Sequence, residues 1–369
     1  MDNLRTAIVL LVVNMHACVT YSHVGSWYVN EPPEPSLLGK LPFLYWQGHL
    51  QAFFMGLMFF LAGAFAHGAC ARRGPGGFLR ERLLRLGAPA LLYMIIIHPF
   101  MVYVLLRQPE WAPTSQLWWR YLASPRVLSG SGPLWFALAL LIFSAVFALW
   151  RKLHPVDAVP RVKPPPRAPA VIGFGLLLVA ATFVMRLVQP VDSSIFNMQL
   201  CFFPQYIAAF TAGVFAGRHG WLDALASSRL ALRAGWMALL GGPLLLTAVM
   251  FFGGVTKGVD LAWFKGGWHA QALGLAAWEQ ASGLGLGLGM MAWFRRWGNG
   301  DGAVARWLAR HSFAVYALHA PVLVALTPLL RPLPGGPILK TLLLTVAGLA
   351  VSHAVAALAK LTPGLRRIL

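Results

Sequence analysis

The fold is decided by apolar runs such as residues 134–150, LWFALALLIFSAVFALW, which contain no charged side chain. Similar runs recur along the chain at residues 6–13, 52–66 and 172–184. Most belong to stretches of about twenty residues with few charges, the length that an α-helix needs to cross roughly 30 Å of hydrocarbon. These stretches are apolar on all sides, whereas a helix in a soluble core is apolar along one stripe. The pattern predicts an all-α, polytopic membrane protein.

The composition agrees with this interpretation. Of 369 residues, 58% are apolar and only 11% are charged, while soluble domains are usually about 25% charged. The net charge of +19 would suggest nucleic acid as the partner of a soluble protein. Here the basic residues fall mainly in the connections between apolar stretches. We therefore expect the lipid bilayer as a partner, and no nucleic acid.

The apolar stretches predict about ten transmembrane helices in a single domain covering residues 1–369. We place these helices at residues 5–22, 44–67, 84–106, 132–150, 168–188, 199–217, 233–253, 267–294, 312–330 and 336–358. If the N-terminus is cytoplasmic, 21 of the 30 Lys and Arg residues lie on the inner side. This asymmetry follows the positive-inside rule, so we expect both termini in the cytoplasm.

Two connections have a distinctive composition. Residues 151–167 are rich in proline and charge, which is typical of a cytoplasmic linker, here between the fourth and fifth helices. The outer connection from Arg107 to Gly132 contains Trp111, Trp118 and Trp119. Tryptophan prefers the headgroup layer, so we expect an interfacial half-helix in this connection.

The first helix carries an Arg and a His on one stripe. Arg5 and His16 are eleven residues apart, which returns to within roughly 20° of the same face after a rise of about 16 Å. Arg5 would then lie at the cytoplasmic interface and His16 near mid-membrane. The pair suits an anionic donor held at the inner end and a general base placed deeper. An anchoring arginine and a histidine that packs against another helix explain the spacing equally well.

Further ionisable residues are candidates because such groups are costly inside a bilayer. Arg82 and Arg85 are neighbours on one helical face at the inner end of the third helix, where paired guanidiniums suit phosphate oxygens and equally suit simple anchoring. Glu279 is the acid that we place well inside a helix, and we expect it to pair with an Arg or His of another helix. A structural ion pair and a catalytic role are equally compatible with it.

The ninth helix adds the sequence SFAVYALHAP, residues 312–321, in which Tyr316 and His319 share a face. Either residue can bind substrate or join two helices by hydrogen bonding. His49, just before the Phe-rich run 53–65, is a weaker candidate for substrate binding. No metal-ligand spacing is present in the sequence, so we expect no metal site.

Taken together and in this order, these features resemble the acyltransferase-3 family of integral membrane acyltransferases. The resemblance covers nearly the whole chain and is carried by six short patterns: Arg5 with His16, Phe59-Phe60-Leu-Ala-Gly63, Arg82 with Arg85 and Pro89, Leu134-Trp135-Phe136, Glu279, and Ser312 with Tyr316, His319 and Pro321. Within the family, residues 21–36 are similar to glucan biosynthesis protein C, which is thought to add succinyl groups to periplasmic glucans.

The resemblance implies an O-acyltransferase of the bacterial inner (plasma) membrane that moves an acetyl or succinyl group from cytoplasmic acyl-coenzyme A to a hydroxyl of a glycan or glycosylated acceptor. It implies donor binding by Arg5, Arg82 and Arg85, catalysis by His16, Glu279 and His319, and acceptor contacts from Tyr316, Trp135 and His49. Acyl-coenzyme A is then a substrate, and no permanently bound cofactor is expected.

The alternative is a secondary transporter in which intramembrane His, Glu and Arg form a proton relay. Many transporter folds are built from internal repeats with paired broken helices. The sequence contains no internal repeat that we can identify, which favours the acyltransferase. A scaffold or sensor without catalysis is also compatible with the helices alone.

Overall fold

The structure is a computed structural model that describes residues 1–106, 114–155 and 163–369. Its described residues form a helical bundle, and ten long helices correspond to the ten predicted spans. They are α1 (Asp2–Ser22), α2 (Leu37–Arg82), α3 (residues 83–105), α4 (Trp135–Leu153), α5 (Ala168–Val188), α6 (Phe203–His219), α7 (Arg229–Phe252), α8 (Ala270–Arg296), α9 (Ala303–Leu330) and α10 (Pro337–Ala359).

Within the described part of the chain, eight segments are long and apolar enough to span a membrane. One of them, Leu37–Leu105, has 69 residues and contains both α2 and α3. A single straight helix of 69 residues would be about 100 Å long, against roughly 30 Å of hydrocarbon. The segment must therefore fold back and cross the membrane more than once. Helix α8 is not among the eight, because it carries Glu279 and Gln280 and packs inside the bundle against α2, α5 and α7. The chain is therefore a multi-pass α-helical membrane protein.

Several predicted boundaries were wrong for identifiable reasons. Helix α2 continues past residue 67 to Arg82, and only Gly74, with φ 71° and ψ 164°, interrupts its helical backbone. Helix α3 alternates between α-helical and π-helical turns around Pro89 and Pro99. Prolines remove backbone donors, and wider turns accommodate the lost bonds. Helix α9 begins nine residues earlier than predicted, because its first turns carry Arg306 and Arg310 and do not continue the apolar stretch.

The two connections are partly described. A short helix, Thr114–Leu122, confirms a helical segment in the outer connection, and Trp118 donates through Nε1 to the carbonyl of Ile95 at 3.0 Å. Trp111 lies outside the described residues, as do residues 156–162 of the proline-rich linker.

Glycines set the closest helix contacts. A Cβ atom at Gly213 or Gly217 of α6 would clash with the carbonyl oxygens of Phe60 and Ala64 of α2, and one at Gly63 would clash with the carbonyl of Phe210. Small residues let membrane helices approach backbone to backbone. These contacts join α2 and α6 and fix one wall of the space in which the candidate site lies.

Candidate active site

Helices α1 and α9 bring two histidines into direct contact. His16 Nδ1 lies 2.8 Å from Nε2 of His319, and the two rings are stacked with centroids 5.0 Å apart. His319 is fully buried, and its Nδ1 lies 2.7 Å from the carbonyl oxygen of Tyr316. Residues that are 303 positions apart in sequence thus form one polar chain inside the bundle.

The order of hydrogen bonds fixes the tautomers of a neutral pair. A carbonyl oxygen only accepts, so Nδ1 of His319 carries the hydrogen and Nε2 of His319 has the lone pair. His16 must then donate from Nδ1, which leaves a lone pair on His16 Nε2. A histidine oriented by a second group in this way is suited to act as a general base.

The loop between α1 and α2 covers His16. Trp27 stacks face to face on the imidazole of His16, with centroids 3.8 Å apart and planes 11° apart. The adjacent Tyr28 is fastened to α3, because its hydroxyl lies 2.9 Å from Nδ1 of His98 and 3.2 Å from the hydroxyl of Tyr93. Burial raises the pKa of Tyr28 above its ordinary value, so this phenol stays neutral.

The same loop is tied down at its far end. Glu31 is almost fully buried, and its carboxylate accepts two hydrogen bonds from Arg331 at 2.5 and 3.1 Å. Its backbone nitrogen donates to the carbonyl of Thr20 at 2.8 Å. A bidentate Arg–carboxylate pair holds one geometry well. Trp27 is therefore part of a fixed cover over His16 and not of a freely moving loop.

A cavity of about 820 Å³ lies beside His16. Three of the predicted residues line it together with His16, namely Trp135, Glu279 and Tyr316. Trp135 stacks on Tyr206 with centroids 5.8 Å apart, and Tyr316 donates its hydroxyl hydrogen to the carbonyl of Pro133. We call this space the outer cavity, since it lies at the end of the bundle opposite Arg5.

His49 and His319 have other surroundings. His49 Nδ1 donates to the carbonyl of Tyr45 at 2.6 Å, and its ring packs edge-on against Trp278. Tyr45 and Trp278 line the outer cavity, whereas His49 lies behind them. His49 and His319 are thus not among the residues that line the outer cavity, and acceptor contact by His49 stays a prediction.

Glu279 has the partner that the sequence predicted. Arg186 of α5 is fully buried and donates through Nη2 to Oε2 of Glu279 at 2.5 Å. Gln280 donates to the other carboxylate oxygen at 3.1 Å. Buried charges are tolerated only when paired and hydrogen-bonded. The pair fixes the wall of the outer cavity at which Glu279 is placed.

A second cavity of about 470 Å³ lies at the N-terminal end of α1. We call it the inner cavity. Arg5 lines it with Arg306 and Arg310 of α9, and Asn3 closes one side by donating to the carbonyls of Gly298 and Gly300 at 2.8 and 2.7 Å. Asp2 and Asp301 also line this cavity, and Asp2 lies 3.6 Å from Arg5, so the three guanidiniums leave an excess of positive charge that suits phosphate groups.

The positive charge continues beside this cavity. Lys360 donates to the backbone carbonyl of Arg310 at 2.5 Å. Burial and, secondarily, the charge of Arg310 lower the pKa of Lys360 below its ordinary value. This end of the bundle therefore concentrates basic groups, as the charge distribution of the sequence predicted.

The residues predicted for donor binding do not all lie together. Arg5 and His16, which share one stripe of α1, line different cavities. Arg82 and Arg85 are not among the residues that line the inner cavity. Arg85 is largely exposed and lies 3.5 Å from Glu81, while Arg82 packs over the ring of Phe78.

Comparison with known proteins identifies the class. A family model described as an acyltransferase domain, that of the acyltransferase-3 family, matches residues 1–357. The chain belongs to this family, and it is a membrane acyltransferase. No curated protein and no solved structure matches the chain. The similarity to glucan biosynthesis protein C therefore stays a prediction.

Sequence reasoning missed Trp27, Arg186, Arg306 and Arg310. Trp27 lies in a connection with no helical period, so no pattern pointed it toward His16. Arg186 was counted as an outer charge because it lies within three residues of the end of α5. Arg306 and Arg310 recur at i and i+4 on α9, a spacing that would have revealed a common face if the start of that helix had been placed correctly.

Proposed function

We propose that this membrane acyltransferase moves an acetyl or succinyl group from acyl-coenzyme A, bound at the inner cavity, to a hydroxyl of a glycosylated acceptor in the outer cavity. The observation that carries this proposal is the chain from the Tyr316 carbonyl through His319 to His16. It leaves the base at the wall of the larger cavity.

The donor end of the proposal rests on charge. Coenzyme A carries several phosphate charges, and Arg5, Arg306 and Arg310 are placed to bind them. Both termini are then cytoplasmic, and the membrane is the inner membrane of a bacterial cell. Arg82 and Arg85 do not bind the donor directly in this proposal. Their positive charges attract the anionic donor toward the end of the bundle that holds the inner cavity.

The reactive thioester must travel along α1. Arg5 and His16 are about 16 Å apart along the helix axis. Val9 and Val12 lie between them on the same stripe, and both are almost fully buried. The long pantetheine arm of the donor matches this path, so its passage requires the helices packed on that face of α1 to separate.

The chemical step follows from the tautomers. His16 Nε2 takes the proton of the acceptor hydroxyl as its oxygen attacks the thioester carbonyl carbon. The carbon–sulfur bond then breaks, and the coenzyme A thiolate leaves and takes the proton from His16. His319 accepts the hydrogen bond of His16 throughout, which stabilises the imidazolium that forms between the two transfers. Glu279 and Tyr316 orient the acceptor at the cavity wall.

The test is acyl transfer by the purified protein in phospholipid nanodiscs. Radiolabelled acetyl- and succinyl-coenzyme A are added with glycosylated acceptors, and labelled ester is measured for the wild type and for His16→Ala. General-base catalysis contributes about 10²–10⁴-fold, so we expect kcat to fall about 10³-fold while donor binding persists. Equal turnover of the two proteins would overturn the proposal. Loss of donor binding in His16→Ala would instead place His16 in the donor site.

A further inference from the structure

The outer cavity has two chemically different ends. Close to His16 it is polar and aromatic, with Gln51, Tyr206 and Glu279 in its lining. Between the first turns of α2 and the end of α7 the lining is aliphatic, while Asp192 and Lys265 line the cavity from the loops before α6 and α8. A cavity that changes from polar to aliphatic along its length matches an occupant that does the same.

The aliphatic end begins on α2. Leu37, Leu38, Leu41 and Leu44 all line the cavity. Their spacing places them on one side of the helix. They nevertheless remain between 37% and 77% exposed. Exposed leucines on a membrane-spanning helix face hydrocarbon, so leucines that also line the cavity mark the place where the cavity opens toward the lipid.

The facing wall comes from α7 and the segment after it. Leu246, Met250 and Leu261 line the cavity from this side. The hydroxyl of Tyr45 lies 2.6 Å from Oγ1 of Thr247, and this hydrogen bond joins α2 to α7. Beyond it the two helices present leucine and methionine to each other without closing. We call the space between these walls the leucine slot.

We infer that the leucine slot holds the hydrocarbon chain of a membrane-borne acceptor, whose hydroxyl-bearing head group reaches His16. The inference rests on the proposed function and narrows its acceptor class to glycolipids or other lipid-linked hydroxyl compounds.

Two features favour this occupant over a water-soluble glycan. The leucines and the methionine of the two slot walls carry no charge and no hydrogen-bonding side chain, so these side chains offer a free sugar nothing to bind. The slot is continuous with the cavity that His16 lines, so one molecule can occupy both. Leu44 lies seven residues, about 10 Å along the helix, outward from Gln51 at the polar end. An alkyl chain spans this distance easily, and it can enter from the bilayer in which the protein resides.

The experiment uses the full chain in phospholipid nanodiscs and a dodecyl glucoside with a photoreactive diazirine in its alkyl chain. After irradiation, labelled peptides are mapped by mass spectrometry. We expect labelling of Leu37–Leu44 and Leu261, suppressed at least fivefold by excess dodecyl glucoside and unaffected by glucose. Labelling spread evenly over lipid-facing helices, or insensitive to the competitor, would overturn the inference.

Matched variants make the test specific. The double variant Leu38→Gln/Leu41→Gln should reduce slot labelling about tenfold. Leu240→Gln/Leu244→Gln is the control, because these exposed leucines of α7 lie outside the cavity lining. Equal labelling of the two double variants would also contradict the inference.

The readout separates this inference from the proposed function. Binding of the alkyl chain does not require His16, so His16→Ala should be labelled like the wild type. Labelling of the slot in a protein that transfers no acyl group would contradict the proposed reaction and support the lipid-binding slot. Acyl transfer to glucose at the same kcat/KM as to dodecyl glucoside, without slot labelling, would contradict the lipid-binding slot and support the proposed reaction.

Discussion

The two cavities of this protein differ in size, charge and construction. The inner cavity, about 470 Å³, is lined by three arginines, two aspartates and other polar residues from the N-terminal ends of α1 and α9 and the segment before α9. The outer cavity, about 820 Å³, is formed by aromatic and aliphatic side chains around one imidazole and one carboxylate. A cavity lined by charged groups and a largely apolar cavity suit two substrates of opposite character. The difference therefore supports a donor at one end and an acceptor at the other.

The largest predicted effect concerns the ion pair of Arg186 and Glu279 in the wall of the outer cavity. Arg186→Met leaves the carboxylate of Glu279 buried without its cation, and removing one partner of a buried pair costs about 3–5 kcal/mol. We expect a clearly lower midpoint temperature of unfolding, measured by the reaction of the buried cysteines with a thiol-reactive dye during heating. The double variant Arg186→Met/Glu279→Gln should recover much of the loss. Equal destabilisation of the single and double variants would contradict a role for the pair.

A smaller effect is expected at His319, which acts through His16. His319→Ala removes the acceptor that orients His16 Nδ1, so kcat should fall roughly 10²-fold while the KM for acyl-coenzyme A changes little. His319→Gln keeps an acceptor oxygen and should restore part of the activity. If both variants instead raise the donor KM and leave kcat unchanged, His319 belongs to the donor site and the separation of the two cavities fails.

The smallest effect tests the inner cavity. Arg5→Ala removes one charged hydrogen bond to donor phosphate, worth about 1.5–3 kcal/mol. We expect the dissociation constant of acyl-coenzyme A to rise at least tenfold at low salt and less at high salt, measured by filter binding. Arg85→Ala is the control, because Arg85 is exposed and lies outside the cavity lining. If both substitutions weaken donor binding equally, the donor is attracted by the overall positive charge of this end of the protein and not by a defined site in the inner cavity.

Much of the fold was readable from the sequence because a bilayer demands long apolar helices. Helix α5 was predicted at its observed bounds, and the pairing of Glu279 with an arginine followed from the cost of a buried charge. The predicted helix ends were wrong where a helix continues beyond its apolar stretch. The first turns of α9 are polar and still helical, so Arg306 and Arg310 were placed in a connection.

Part of the site was beyond the reach of the sequence. The motif with His319 and the motif with His16 lie at opposite ends of the chain, and no local pattern says that α1 and α9 touch. Trp27 shows the same limit, since a stacked ring in a loop is fixed by contacts with α3 and Arg331 that lie far away in sequence. Helical period predicts a face, and only packing decides what that face meets.

Helix α1 contributes Arg5 to one cavity and His16 to the other. A ligand that displaces this helix along its axis at one end must also alter the opposite end. Thermodynamic linkage is reciprocal, so whatever factor the donor imposes on acceptor affinity, the acceptor imposes on donor affinity. Measuring the dissociation constant of each substrate with and without the other would therefore report how strongly helix α1 couples the two cavities.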